Sequence, residues 1–341
     1  MTMHERARIK DIADRAGVST ATVSRALSGS GLVAEGTEKR IRAAALELDY
    51  RPNIAARNLR MQRSMAILLV VRDVSNPFYL EIFKGVEAEA RAAGFSVLMG
   101  NANNDPLRAA EYFEMLQDGH ADGMILMTGA LGDETVRSLK GPVRKPLVVA
   151  LELIEDLDVP NVHIDNRKAA YDAVQHLIGL GHERIAHVQG PMPEYMSIMR
   201  REGYLAAMSD AGLLVPNGYD LPGDYTLERG QSACRELFSR KDRPTAIFLA
   251  NDEMAIGAIN ELRRLGFSVP SDVSIIGFDD IFLSETFYPP LTTVSQPRDE
   301  IGRQAMRMLL KLISGEANTL PSRQLETTLS IRGTTGPAPR D

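Results

Sequence analysis

From Ala66 onward, short apolar runs alternate with longer amphipathic segments, and this alternation restricts the fold more than any other feature of the sequence. The runs span residues 66–71, 96–101, 122–127, 146–151, 162–164, 184–189, 245–250, 273–278 and 291–296. Segments with helical periodicity lie at residues 78–93, 107–119, 133–140, 167–180, 197–211, 227–239, 253–265 and 299–314. Apolar strands between amphipathic helices are typical of doubly wound parallel sheets covered on both faces. Because this part is too long for one sheet, we predict an α/β core of two lobes.

The residues that follow the predicted strands are amides, carboxylates and a few aromatics, with Arg200 as the main cation. Ligands of doubly wound sheets bind at the carboxyl ends of the strands, so these residues are candidates for a binding site. They include Asp73, Asn76, Phe78, residues 101–104, Glu152, residues 190–199, Asn251, Asp252, Asp279 and Asp280. This set favours a neutral polyhydroxylated or nucleoside-like ligand over a phosphorylated one.

Residues 9–27, IKDIADRAGVSTATVSRAL, have the pattern of two short helices joined by a tight turn. Gly17 stands where a left-handed residue ends the first helix, and Ser19 stands where a hydroxyl caps the second. The first helix has apolar residues at helical spacing, namely Ile9, Ile12, Ala13 and Ala16. A third helix is predicted from about Thr37, with an apolar face of Ile41, Ala44, Ala45 and Leu48. The sequence therefore predicts a three-helix helix-turn-helix head.

The second of these helices has one apolar side and one side suited to DNA. Val23 and Leu27 lie four residues apart and form the buried side, whereas Thr20, Ala21 and Arg25 share a different face. A helix-turn-helix presents such a face to the major groove. Arg25 has the planar donor fork that reads a guanine edge, and Ala21 offers only methyl contact.

The net charge of −6 hides a strong asymmetry along the chain. Residues 1–63 carry 12 Lys and Arg against 7 Asp and Glu, a net charge of +5. The remaining residues carry 27 against 38, a net charge of −11. A basic head on an acidic body is typical of a protein that binds phosphates at one end.

Residues 54–64, IAARNLRMQRS, form a short helix-compatible stretch with three arginines. One such helix is marginal on its own. Two interpretations stay open: a basic linker, or a hinge that orders only against DNA, with Leu59 wedged into the minor groove.

Several classes of protein are disfavoured by the sequence. No G-x-G-x-x-G or G-x-x-x-x-G-K-[ST] follows the first predicted strand, and no H-E-x-x-H occurs. The single cysteine, Cys234, and the six dispersed histidines give no metal-ligand spacing. We therefore predict no catalytic residue, no metal and no cofactor. The absence of a long apolar run and of a secretory signal favours a cytoplasmic protein without membrane contact.

The chain resembles the lac-repressor (LacI/GalR) family of bacterial transcription regulators over essentially its whole length. The resemblance rests on IKDIADRAGVSTATVSRAL, RPNIAARNLR, SNPFYLEIFKGVEAEARAAGF and DVSIIGFDD followed by PPLTTVSQP. VHIDN and PPLTTVSQPRDEIGRQAM are most similar to the cytidine-repressor and purine-repressor branch. Leu151 and Glu194 depart from the polar or basic residues of some purine-binding relatives.

The resemblance implies a homodimer or a tetramer, with a helix-turn-helix head, a hinge helix and a two-lobe core similar to periplasmic binding proteins. It implies base reading by Thr20, Ala21 and Arg25, and intercalation by Leu59. The residues expected at the DNA are Ser19, Thr20, Ala21, Thr22, Ser24, Arg25, Asn53, Ala56, Leu59 and Arg60. Those expected around the effector are Asp73, Asn76, Phe78, Tyr79, Glu152, Arg200, Tyr225, Asn251, Asp252 and Asp279.

We expect three parts: a DNA-binding domain at 1–51, a hinge at 52–64 and a core at 65–341. The first lobe is expected at about 65–161 and 292–323, and the second at about 162–291 and 324–341. The expected function is repression at a pseudo-palindromic operator, controlled by a nucleoside or sugar. Whether that effector releases or promotes DNA binding stays open. A plain solute-binding protein is the rival, against which the head argues.

Overall fold

The computed structural model describes residues 7–27, 32–50, 63–129, 131–139, 145–154 and 159–339. The chain divides into two units, Met1–Arg63 and Ser64–Asp341. Within these described residues, no helix is long and apolar enough to span a membrane.

The first unit is built from three helices, α1 (Ile9–Ala16), α2 (Thr20–Leu27) and α3 (Glu35–Glu47). Gly17 ends α1 in the left-handed conformation, with φ of 65°, and its N–H donates to the carbonyl oxygen of Ala13. The three helices share an apolar core, whose buried members are Ile12, Ala13, Val23, Ala26, Ile41 and Ala44. Leu27, predicted on the buried side of α2, packs at the margin of this core and is half-buried. The helix predicted from Thr37 begins two residues earlier, at Glu35.

The second unit contains two six-stranded sheets, which form the cores of two lobes. The first sheet has the order β11-β5-β4-β3-β1-β2, and all of its pairs are parallel. The second has the order β12-β10-β9-β8-β6-β7 and is parallel except for β12. The strands are β1 (Ala66–Val71), β2 (Ser96–Asn101), β3 (Gly123–Met127), β4 (Leu147–Ala150), β5 (Asn161–Ile164), β6 (Ile185–Val188), β7 (Asp220–Leu221), β8 (Ala246–Leu249), β9 (Ser274–Asp279), β10 (Thr292–Ser295), β11 (Arg323–Leu325) and β12 (Thr328–Ser330).

Nine helices of the described core accompany the sheets. They are α4 (Phe78–Ala92), α5 (Pro106–Gln117), α6 (Asp133–Leu139), α7 (Asn166–Gly179), α8 (Tyr195–Asp210), α9 (Leu227–Phe238), α10 (Asp252–Arg264), α11 (Phe282–Thr286) and α12 (Arg298–Ser314). The predicted α/β class is thereby confirmed, and each of the nine predicted apolar runs contains a strand.

Strand pairing corrects three assignments of segments to lobes. The strand β5 pairs with β4 in the first sheet, although residues 162–164 were expected in the second lobe. The strand β10 pairs with β9 in the second sheet, although residues 292–295 were expected in the first lobe. Residues 324–325, expected in the second lobe, belong to β11, which pairs with β5 in the first sheet. An apolar run predicts a strand but does not specify its neighbour, because pairing is a long-range property.

The described chain passes between the sheets three times, at residue 165, at residues 296–297 and at residues 326–327. At the second passage it leaves β10 and enters α12, which packs along α4 in the first lobe. These two helices touch through glycines: a Cβ at Gly85 would lie 2.1 Å from the backbone oxygen of Asp299. A Cβ at Gly302 would lie 2.1 Å from that of Ile82. The two backbones therefore meet directly.

Candidate functional sites

The helix α2 presents the face that the sequence predicts for DNA reading. Thr20, Ala21 and Arg25 are exposed, whereas Val23 and Ala26 are buried against α1 and α3. The 3.6-residue period of the helix separates these two sides. The exposed face of α2 thus carries the hydroxyl of Thr20, the methyl group of Ala21 and the guanidinium group of Arg25.

The hydroxyl of Ser19 caps the start of α2, next to the hydroxyl of Thr22. Ser19 Oγ accepts a hydrogen bond from the backbone N–H of Thr22 at 3.1 Å, and the hydroxyls of Ser19 and Thr22 lie 2.8 Å apart. This is an N-cap, which stabilises a helix by about 1 kcal/mol. Ser24 is half-buried. The other predicted DNA contacts, Asn53, Ala56, Leu59 and Arg60, lie outside the described residues.

A small cavity lies between the two lobes. Seven of the ten residues predicted around an effector line it, and they are Asn76, Phe78, Tyr79, Arg200, Tyr225, Asn251 and Asp279. Met196, from the methionine-rich stretch after β6, completes the lining. The first lobe contributes the loop after β1 and the start of α4, and the second contributes the rest. The carboxyl ends of strands from both sheets therefore face one space, as expected for doubly wound folds.

Arg200 is the buried cation of this cavity, with 2% of its surface exposed. Its Nε donates to Asn166 Oδ1 at 2.9 Å, and its Nη1 donates to the carbonyl oxygen of Ala250 at 2.5 Å. The guanidinium carbon lies 3.6 Å from the centroid of the Phe278 ring. These contacts fix the charge in position and use part of its donor capacity.

Asp279 ends β9 and is the main cavity carboxylate, 3.8 Å from Arg200 Nη1. Its Oδ1 accepts a hydrogen bond from Gln296 Nε2 at 2.7 Å. Burial raises the pKa of Asp279 to about 8, while the neighbouring Arg200 acts in the opposite direction. Its backbone has φ of 116°, a conformation that non-glycine residues rarely adopt. Strained backbone of this kind clusters at ligand-binding sites.

Tyr225 forms an aromatic wall of the cavity, and two neighbours position it. The hydroxyls of Tyr225 and Ser197 are 3.0 Å apart, and Asn251 Nδ2 donates to the carbonyl oxygen of Tyr225 at 2.9 Å. Gly190 makes room for this arrangement, because a Cβ there would lie 2.4 Å from the Tyr225 hydroxyl. On the opposite side, Phe78 and Tyr79 pack edge to face at 5.2 Å. The cavity thus combines apolar ring faces with fixed polar groups.

A buried ion pair joins the lobes beside the cavity. Arg72, directly after β1, donates to Glu194 at the start of α8, and both side chains are largely buried. The guanidinium carbon of Arg72 lies 5.1 Å from the centroid of the Tyr225 ring. Sequence reasoning did not single out Arg72, although its place at the carboxyl end of β1 is a usable signal. The same rule applied to β10 would have indicated Gln296.

Three predicted effector residues do not line the cavity. Asp73 accepts hydrogen bonds from the backbone N–H and hydroxyl of Ser75 within its own turn. Asp252 is buried, and its carboxylate accepts hydrogen bonds from groups of the same lobe, namely Ile281 N, Ser284 Oγ and Thr293 Oγ1. Both carboxylates therefore serve the fold.

Glu152 also lies outside the lining, but its environment is unusual. The side chain is buried, and its Oε2 has no hydrogen-bond partner among the described residues. Burial and the nearby Glu194 raise the pKa of Glu152 to about 8. This leaves an unsatisfied carboxyl oxygen next to charged groups of the interlobe region.

The comparisons with known proteins agree with this architecture. Residues 8–53 match the family model of bacterial regulatory proteins, lacI family, and residues 174–335 match that of the periplasmic binding protein-like domain. The HTH-type transcriptional repressor CytR of Escherichia coli (strain K12) is 39% identical over 334 residues, which cover 98% of this chain and 97% of that protein.

Solved structures give the same result. The chain is 31% identical to that of the transcriptional regulator CelR–cellobiose complex, with a TM-score of 0.73 over 96% of this chain and 100% of the other. The lac repressor dimer bound to operator and the anti-inducer ONPF has the same fold, with a TM-score of 0.86 at 24% identity over 97% of this chain and 100% of the other. The relatives confirm a transcriptional regulator and not an enzyme. The chain belongs to the lacI family of bacterial regulatory proteins.

Proposed function

We propose that this regulator represses transcription by binding an operator through α2, and that a small uncharged effector in the interlobe cavity controls this binding. The observation that carries the proposal is the cavity itself, because both lobes contribute to its wall. A ligand that contacts both walls stabilises one arrangement of the lobes over another. A coupling of about 1–3 kcal/mol is sufficient for a switch.

The chemistry of the cavity supports an effector that donates hydrogen bonds. Asp279 and the nearby carboxyls of Glu152 and Glu194 present oxygen atoms to a ligand, whereas two nitrogens of Arg200 already donate to protein oxygens. A phosphate or carboxylate would meet these acceptors unfavourably. Sugar hydroxyls and nucleoside N–H groups both suit them. The rings of Phe78, Tyr79 and Tyr225 favour a ligand with a flat face, and hence a nucleoside.

A sugar is the second candidate for the effector. It is favoured by the similarity to CelR, whose solved structure is a cellobiose complex. Aromatic walls with fixed hydrogen-bonding groups also suit the apolar and polar faces of a sugar ring.

A thermal-shift screen with nucleosides, free bases and monosaccharides distinguishes the two classes. The effector class raises the melting temperature of the full chain by mass action. Asp279→Asn is expected to abolish that shift and the effector's influence on operator affinity, while operator binding without effector persists. Asp73→Asn is the matched control, because its carboxyl is bonded within its own turn. A full response of the Asp279 variant would refute the placement.

Operator recognition is assigned to the exposed face of α2, with Arg25 reading a guanine in each half-site. Operators selected from random duplexes by the wild-type chain provide the substrate. Arg25→Ala is expected to weaken operator binding by about 1–3 kcal/mol and to relax specificity at one position per half-site. Arg42→Ala removes an arginine that is paired with Glu38 on α3 and should preserve the base preference. An equal loss on selected and random duplexes would contradict base reading by Arg25.

The rest of the proposal concerns the assembly. Two heads, one from each protomer of a homodimer, bind the halves of a pseudo-palindromic operator. Asn53, Ala56, Leu59 and Arg60 belong to the proposed hinge, with Leu59 in the minor groove. This role places the protein in the cytoplasm, where the operator is.

A further inference from the structure

The crossover at residues 296–297 and the start of α12 are hydrogen-bonded to the end of β9 and to the residue after it. Gln296 is 4% exposed and donates from Nε2 to Asp279 Oδ1 at 2.7 Å. Arg298, the first residue of α12, donates from Nη2 to the carbonyl oxygen of Asp280. Two consecutive residues at the cavity edge are therefore attached to the segment that joins the lobes.

The two side chains that make this attachment are not fully hydrogen-bonded. Gln296 Oε1 and Arg298 Nη1 are buried and have no hydrogen-bond partner among the described residues. The residues they hold are also strained, since φ is 116° at Asp279 and 55° at Asp280. Buried polar groups are paired in most stable arrangements. Unpaired polar groups and backbone strain therefore occur together at this junction.

The crossover leads back to the other wall of the cavity. Arg298 begins α12, and Asp299 one residue later lies against Gly85 of α4. The first two residues of α4, Phe78 and Tyr79, line the cavity from the first lobe. Because the α4 and α12 backbones are in direct contact, a shift at the start of α12 cannot be absorbed by side chains alone.

We propose that Gln296 and Arg298 are positioning residues that transmit occupancy of the cavity from Asp279 to α12 and α4. This role rests on the proposed function, in that it requires an effector at Asp279. An effector hydroxyl or N–H that reaches Asp279 Oδ1 competes with the Gln296 amide. Release of that amide frees the crossover, and α12 then carries the change into the first lobe.

Hydrogen exchange on the ligand-free full chain tests this transmission. Asp279→Ala removes the acceptor of the Gln296 amide and is expected to accelerate exchange in peptides from α12 and α4 about fivefold, as for the loss of one net hydrogen bond. In a Gln296→Met background the same Asp279→Ala change should have less than about a twofold effect, because the link is already broken. Arg298→Met should likewise reduce the effect.

Two controls separate transmission from general destabilisation. Gln304→Met removes another α12 amide, whose Nε2 donates to Glu300 on the same helix at 2.7 Å, and should leave the Asp279→Ala effect intact. Asp279→Asn keeps an acceptor and should change α12 little. Equal acceleration with and without Gln296, or an effect confined to the second lobe, would overturn the proposal. Such a result leaves the thermal-shift response to nucleosides or sugars unaffected, so the two failures are distinguishable.

Discussion

At the scale of single residues, the interlobe region holds carboxyls in surroundings that disfavour their charge. Burial is the first cause of the raised pKa of Glu152, Glu194 and Asp279. Arg72 and Arg200 lower these pKa values only in part, and Arg200 also donates to Asn166 and to the carbonyl oxygen of Ala250. Groups of this kind are typical of ligand sites, where the missing partner is supplied by what binds.

Glu152 gives this region a dependence on pH. Its pKa rises from 4.5 to about 8 on folding, so the folded chain holds one more proton than the unfolded chain between those values. The free energy of unfolding therefore falls as pH rises from about 4.5 towards 8. Glu152→Gln removes this contribution, and the decline between pH 5 and pH 8 should be smaller in the variant. Urea unfolding at both pH values measures the difference.

The control for this prediction is Glu183→Gln, a change at an exposed carboxyl. It should leave the decline of the wild type unaltered. Parallel pH profiles for the wild type and the Glu152 variant would show that Glu152 is charged in the folded chain at neutral pH.

At the scale of elements, α4 and α12 cross with their backbones in direct contact. The glycines at 85 and 302 replace side chains at the crossing, so each backbone lies against the other. The helical periodicity of the two segments does not reveal the role of either glycine. An isolated glycine within a helical pattern can also be a position that merely lowers helix stability. The spatial reason becomes visible only when the two helices, more than 200 residues apart, are brought together.

Gly85→Ala is expected to destabilise the core by about 1–3 kcal/mol, because its Cβ would meet the Asp299 oxygen at 2.1 Å. Gly179→Ala in α7 is the matched control: no heavy atom lies within 4 Å of its Cβ position, and the change should be neutral or stabilising. Chemical unfolding of both variants measures the contrast. Equal stability of the two variants would contradict a tight crossing.

Elements were predictable from the sequence where their pattern is local. The buried strand β1, AILLVV, is predicted from its own six apolar residues, whatever sequence flanks them. The strand β11, RQL, is three residues long and largely exposed, so its residues do not predict a strand. It exists because it extends the first sheet beside β5, which no local window contains.

The same contrast between local pattern and long-range contact applies to the residues of the candidate site. The rule of carboxyl ends indicated Asn76, Arg200 and Asp279, since it depends on topology that the strand pattern supplies. It failed for Asp252, which also follows a strand. Whether such a carboxylate faces the ligand or its own lobe depends on side-chain direction, and Thr293 and Ser284 decide this from distant parts of the chain.

At the scale of the whole molecule, the outer edge of the first sheet is exposed. The strand β2 pairs with β1 on one side only, and Leu98 and Met99 are 45% and 37% exposed on it. Leu80 on α4 is 47% exposed. Exposed apolar edges are protected in stable proteins. We assign this edge to the proposed homodimer interface, with a second protomer as its cover.

Leu98→Asp is expected to weaken dimerisation at least tenfold, or about 1.4 kcal/mol, because it places a charge in the apolar interface. Operator affinity should fall with it, since two linked heads bind better than one. Leu214→Asp, at a position 87% exposed in the second lobe, is the control and should change neither. Sedimentation velocity across a concentration series provides the measurement. An unchanged association constant for the Leu98 variant would exclude this edge.

The three passages between the lobes also set the order in which the protein is completed on the ribosome. The first lobe begins at β1, yet its sheet lacks β11 and its α4 lacks α12 until residues 298–325 have been synthesised. The three helices of the first unit share their own apolar core, and they emerge first. A nascent chain therefore carries a finished head well before either lobe is closed. The edge of β5 and the face of α4 that contacts α12 stay uncovered until residues 298–325 have been made, and chaperone binding is of most use in that interval.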